Sequence, residues 1–384
     1  MRNLFNKKGS ITILLFALTA MVANATTITV DNNAGSAAQY TDLQTAVDAV
    51  QAGDTILVAG SVTSYGSITL KKKVILLGAG YAGLSSKMGQ LVFQNLTSVD
   101  GSSDSFVSGF QMSSISFTVE YTNRTSATYA SLSGIIIERC IVSGINFHNN
   151  YAHFSNITVR NNAFNITGFA ALTSNNISTY SSILFSNNII DGGYFGSRVV
   201  VSSSNGVEFV SSYQSTSGVA IRNNIFVGPS SRAFSLMIGA TVENNIFYNR
   251  NLITEAEYNS FDSLAYGLNF NNNITYLTGQ DLTLNSWYAV GANNQSIDPQ
   301  YENFPIDGAA FSTDHNYRLK TGSPAIGAGV NGEDLGIYGG AYPWPGDLVI
   351  FPKGPRVIEL KPVGSPSVPA GSTLDVQFKS VINN

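Results

Sequence analysis

IRNNIF at residues 221–226 is followed at 242–247 by VENNIF, and these two phrases decide the fold. Each is an apolar strand that runs into an asparagine pair and resumes at once with apolar residues. The phrase also stands upstream as IERCIV (137–142), VRNNAF (159–164) and LFSNNII (184–190), and downstream as LNFNNNIT (268–275). Alignment places Cys140, Asn162, Asn188, Asn224, Asn245 and Asn273 in equivalent positions, at spacings of 22, 26, 36, 21 and 28 residues. A fixed core of about 21 residues with variable additions is what a solenoid gives when each coil keeps its walls and accepts insertions only in loops.

Short apolar strands at this spacing fill residues 54–320. At about 4.8 Å per coil, roughly eleven parallel coils would make a rod of about 50 Å. Asparagine tolerates left-handed backbone angles, and its amide can bond to the amides above and below, so each pair reads as a tight turn and the six aligned positions as a structural ladder. Two places before each ladder position stand Glu138, Arg160, Ser186, Arg222, Glu243 and Asn271. This column is expected to point outward, pairing Glu138 with Arg160 and Arg222 with Glu243 as surface contacts worth about 0 to 1 kcal/mol each.

The ends carry different signals. Arg2, Lys7 and Lys8 precede the apolar run Ile11 to Val22 and then Ala23-Asn24-Ala25, which predicts a secretory signal over residues 1–25 and export to the periplasm, cell surface or medium. These three are among 20 basic residues, against 24 acidic ones, so the chain beyond residue 25 carries 17 against 24, a net charge of −7. That balance disfavours nucleic acid as a partner. No segment reaches the roughly 20 apolar residues of a spanning helix. Residues 41–52 read as an amphipathic helix, with Thr41 as cap, Gln44 reaching back, and Leu43, Ala46, Val47 and Val50 on one face; it is placed to cover an open end of the stack. Beyond residue 345, PRVIELKPV and STLDVQFKSV read as two strands of a terminal β flap over 346–384.

Two intervals exceed a coil. Gly192 to Gly218 contains Tyr194, Phe195 and Tyr213, and Asn249 to Gly267 contains Tyr258 and Tyr266. Insertions held at both ends by rigid coils often build binding faces, and exposed aromatics there would stack on sugar rings; these five are the candidate carbohydrate-binding residues. Cys140 has no partner in the chain and reads as a buried, inert thiol. His148 and His153, five apart in one extended segment, would fall on opposite faces, which disfavours a shared metal. Asn-x-Ser/Thr sequons at Asn95, Asn123, Asn156, Asn165, Asn176, Asn273 and Asn294 read as a by-product of composition.

With the opening YTDLQTAVDAVQAGDTILVAG (40–60) and the closing DPQYEN (298–303), YRLKTGSPAIGAG (317–329) and DLGIYGG (334–340), the chain resembles secreted bacterial members of the pectate-lyase-like superfamily. The resemblance implies a right-handed parallel β-helix over 26–345. Function does not follow, because that superfamily includes lyases, hydrolases, esterases and proteins with no reaction. Polygalacturonase-like hydrolases carry paired aspartates and Gly-His-Gly, and neither occurs here. A lyase needs a base and a cation to neutralise the uronate. No lysine lies between Lys87 and Lys320, leaving Arg124, Arg139, Arg160, Arg198, Arg222, Arg232, Arg250 and Arg318. The preferred expectation is a secreted carbohydrate-binding or cell-surface scaffold protein without catalytic residues, metal or cofactor, whose partner is a polysaccharide or surface glycan. The alternative is a polysaccharide lyase acting through an arginine base or a calcium site assembled across coils.

Overall fold

The structure is a computed structural model. It describes residues 25–80, 84–95, 101–119, 130–148, 152–166, 179–196, 200–202, 208–210, 217–228, 233–235, 239–252, 268–278, 289–305, 310–312, 314–345, 355–362 and 376–382. Two long parallel sheets dominate, one of 12 strands and one of 11, and in each the strand order follows chain order. The chain is a parallel β-helix. The coils that carry an asparagine pair give one strand to the first sheet, turn through the pair, and give the next strand to the second sheet: Val219–Arg222 then Ile225–Val227, Thr241–Glu243 then Ile246–Tyr248.

Strand alternation fixes what faces in. Ile137, Val159, Phe185, Ile221, Val242 and Phe270 stack in register from coil to coil inside the tube and belong to its apolar core. Rings stack along the second sheet in the same way, with Phe226 and Phe247 4.6 Å apart.

The asparagine pair divides its work. The first member takes the left-handed turn, with φ of 52° at Asn161, 55° at Asn187, 54° at Asn223, 59° at Asn244 and 54° at Asn272. The second points inward and forms the ladder. Asn224 is typical: its Nδ2 donates to Asn245 Oδ1 at 3.0 Å and to Phe185 O at 3.0 Å, while its Oδ1 accepts from Asn188 N and Asn188 Nδ2, each at 2.9 Å. The ladder runs one coil further than the sequence reading carried it, to Asn294, whose Oδ1 accepts from Asn273. At the other end Cys140 N donates to Asn162 Oδ1, and the buried sulfur faces the amides of Phe110 and Gly109 where an asparagine side chain would sit.

The helix forms as Leu43–Ala49 and buries the expected face. Its cap is Asp42 rather than Thr41, because Asp42 Oδ1 accepts from Thr45 N at 2.7 Å. Gln44 does not reach back either. Its amide accepts from Thr69 N at 2.8 Å and donates to Thr69 O at 3.2 Å, pairing main-chain groups on Ile68–Leu70, the edge strand of the second sheet that comes first in the chain. Near the C-terminus, Pro355–Pro362 and Val376–Ile382 pair antiparallel.

Residues 325–344, in the closing stretch of the chain expected to form the β-helix, form a strap that runs back along the outside of the tube. It descends the column of turn asparagines: Asn272 Nδ2 donates to Ala328 O, Asn223 Nδ2 to Asp334 O, Asn187 Nδ2 to Ile337 O and Gly339 O, and Asn161 Nδ2 to Tyr342 O. Asn244 joins through its Oδ1, which accepts from Val330 N. Leu335, Ile337 and Trp344 then seal Ile189, Ile225 and Ile246, the outward residues of the second sheet, into a second apolar cluster. Gly340 allows the close approach: φ is +71°, and a Cβ there would lie 2.6 Å from Asn223 Oδ1.

Candidate functional site: a charged column and the roots of two insertions

The column Glu138, Arg160, Ser186, Arg222, Glu243 and Asn271 is in register along the first sheet, as its spacing predicts. Its exposure is not uniform. Arg222 Nε lies 3.1 Å from Glu243 Oε2, with the arginine side chain 49% exposed, as expected of a surface pair. Glu138, by contrast, is 2% exposed. Arg160 holds its Oε2 through Nη2 at 2.6 Å and Nε at 2.8 Å, Arg139 Nε lies 3.7 Å from its Oε1, and the ring of Tyr342 covers the Arg160 guanidinium at 4.2 Å. The expectation that the whole column is solvated is therefore corrected at Glu138 and also at Ser186, which is buried. Burial lowers the pKa of Arg139, with Glu138 opposing the effect.

The second candidate region is where the two insertions leave the coils. Phe195 was expected among the sugar-binding aromatics, but it is 3% exposed. Its ring meets Phe185 edge-on at 4.9 Å and lies 6.2 Å from Phe234, so it belongs to the core. Tyr194 is half-buried. Tyr213, Tyr258 and Tyr266 lie outside the described residues.

Arg250 stands at the root of the second insertion and is wholly buried. Its Nη2 donates to Gly192 O at 2.7 Å and to Gly193 O, and its Nη1 to Val227 O at 3.4 Å. Burial pulls its pKa down to about 10, against the opposing attraction of Asp191. Asp191 in turn accepts from Phe311 N at 2.9 Å. The sequence marked Arg250 only as one of eight central arginines; its position directly after Asn249, at the mouth of the insertion, was the available signal.

Other candidates separate. His148 ends a strand of the second sheet and His153 lies in a strand of the first. Cys140 is buried, and desolvation raises its thiol pKa to about 12. Among the described residues there is no group of three or more His, Cys, Asp or Glu placed to hold a metal, and no helix is long and apolar enough to cross a membrane.

No family model matches the chain, and no curated protein matches it. Among solved structures it is similar to an alginate lyase from Paenibacillus sp. str. FPU-7, at 15% identity over 70% of this chain and 95% of that one, with a TM-score of 0.21. A superposition that loose says nothing about chemistry, and the parallel β-helix rests on the sheets themselves.

Proposed function

We propose that this is an exported β-helix protein that binds a polysaccharide or surface glycan on the faces its coils and insertions present, and acts as a binding scaffold. What carries the reading is the engagement of the described central arginines. Arg160 and Arg139 are held by Glu138, Arg222 by Glu243, and Arg250 by three main-chain carbonyls, while Arg318 lies over the Tyr338 ring. A general base must be open to the substrate proton it removes, and guanidiniums spent on structural contacts are poor candidates. The helix at the first coils fits a role in shielding that end of the stack.

Among the described arginines the lyase alternative keeps two exposed ones, Arg222 beside Glu243 and Arg318 over Tyr338, while Arg124, Arg198 and Arg232 lie outside the described residues. A panel of acidic and neutral polysaccharides incubated with the purified protein separates the two readings. Retention without new ends supports binding; unsaturated ends that vanish in Arg222→Ala would establish a lyase, and neither result would leave a scaffold that does not bind glycans.

A further inference from the structure

Glycine follows asparagine at Asn205 and at Asn331, and of the two pairs Asn331–Gly332 lies within the described residues. It forms the tip of a tight turn in the strap. Asn331 is left-handed, with φ 62° and ψ 20°, like the turn asparagines of the tube. There the likeness ends. The side chains of Asn161, Asn187, Asn223, Asn244 and Asn272 are all bonded to the strap. Among the described residues the Asn331 amide makes no hydrogen bond, and both it and Gly332 are exposed. Gly329 N donates to Glu333 O at 2.8 Å and Gly332 N to Gly329 O at 3.1 Å, which closes the turn. One tube residue anchors it from both sides: Asn244 Oδ1 accepts from Val330 N at 3.0 Å, and Asn244 Nδ2 donates to Glu333 Oε2 at 3.1 Å.

From this geometry we infer that Asn331 is a site of spontaneous modification, at which the strap ages irreversibly, and that Asn244 governs the rate. The Gly332 nitrogen gives up its proton to solvent and attacks Asn331 Cγ. The Cγ–Nδ2 bond breaks, Nδ2 takes a proton and leaves as ammonia, and a succinimide ring remains. Water then opens the ring at either carbonyl, so asparagine plus water becomes aspartate or isoaspartate plus ammonia, with nothing oxidised or reduced. Glycine favours the attack because it has no Cβ to hinder the approach and its backbone reaches the angles the ring needs. The bond from Gly332 N to Gly329 O opposes it, since the nitrogen must leave that bond to react and the turn must open first. Either product places a new carboxylate close to Glu333 and Asp334, and isoaspartate also lengthens the main chain by a methylene. Both changes strain the turn that Asn244 holds, in the strap that covers Ile225 and Ile246.

Peptide mapping by mass spectrometry tests this on the full chain, incubated at mildly alkaline pH with and without denaturant. Asn331 is expected to convert in the native protein, more slowly than in denaturant but ahead of the five turn asparagines of the tube, with isoaspartate eluting as a separate isomer. Asn244→Ala should speed the native conversion about tenfold by removing the anchors of the turn. Asn161→Ala, which frees only the Tyr342 end of the strap, should leave the rate unchanged. Glu333→Ala removes one anchor without touching the tube and should also speed conversion, so the test does not depend on the Asn244 variant folding. An Asn331 that stays intact natively while converting in denaturant would overturn the site. Equal rates with and without denaturant, or no acceleration in either anchor variant, would overturn the gate. Limited proteolysis reads the consequence: aged wild-type protein should be cut within 325–344 sooner than fresh protein, and aged Asn331→Gln should not. Equal cutting of aged and fresh wild-type protein would show that the strap does not age at this residue.

Discussion

The side-chain amide of Asn187 donates to the main-chain oxygen of Ile337 at 3.0 Å, across 150 residues of sequence, and the same amide reaches Gly339 O at 2.7 Å. One turn residue of the tube thereby holds two residues of the strap. Replacing it with alanine leaves both carbonyls without that donor, for a loss of about 2 kcal/mol. Gly340→Ala should cost at least about 1 kcal/mol, since it adds a Cβ against Asn223 at a left-handed backbone angle. Urea denaturation measures both losses. Limited proteolysis should cut within 325–344 sooner in each variant than in the wild-type protein, and unchanged cutting would mean the strap is held elsewhere.

The ladder predicts an asymmetry between two similar-looking changes. Asn224→Ala removes donors to Asn245 and Phe185 and the acceptor for Asn188 in a fully buried position, so a loss of about 3 kcal/mol or more is expected. Cys140→Asn places an amide where the ladder already points, and stability should change by less than about 1 kcal/mol. With its pKa raised to about 12, the Cys140 thiol should resist alkylation in the native protein and react once denaturant unfolds it.

Two ion pairs in one column should behave differently. Glu138→Ala leaves Arg160 and Arg139, 15% and 11% exposed, without their carboxylate and is expected to cost about 3 kcal/mol, with little dependence on salt. Glu243→Ala leaves a half-exposed Arg222 to water and should cost less than about 1 kcal/mol, an effect that added salt reduces further. Equal losses would show that depth in the column does not govern the pairs.

Acid should loosen the first coils. Asp54 Oδ1 accepts from Thr26 N at 2.7 Å and Oδ2 from Gln51 N at 2.8 Å, and the Thr26 bond leads in holding its pKa below the ordinary aspartate value. A lowered folded-state value means that the stabilisation is fully present above the unfolded value of about 3.9 and disappears as pH falls through the folded one. Urea midpoints at about pH 5 and about pH 3 should therefore differ by less in Asp54→Asn than in the wild-type protein.

The tube was legible because its signals are local and repeated. Each asparagine pair, flanked by apolar residues, announces its own turn, and in-register stacking follows from the spacing. The strap was not legible, because its partners lie 56 to 181 residues away and are mostly main-chain groups, which every residue has. Glu138 shows the same limit from the other side. Alternation correctly puts it outside the tube, but Arg139 and Arg160, with Tyr342 over the latter, then take it out of water. Phe195 lies in an insertion by sequence count, yet Phe195–Gly196 pairs in parallel with Phe234–Ser235, and its ring packs into the core beside Phe234.

The strap also bears on how such a protein can change over generations. A bare stack of coils can gain or lose one without harm, since each touches only its neighbours. Here five turn asparagines are matched one after another to a single stretch of chain, so a duplicated coil would throw every later match out of step by about 4.8 Å. Length is locked, and new material is admitted only where it leaves the pitch alone. The 36-residue interval between Asn188 and Asn224 is such a place: it carries an insertion while the ladder bond across it stays at 2.9 Å.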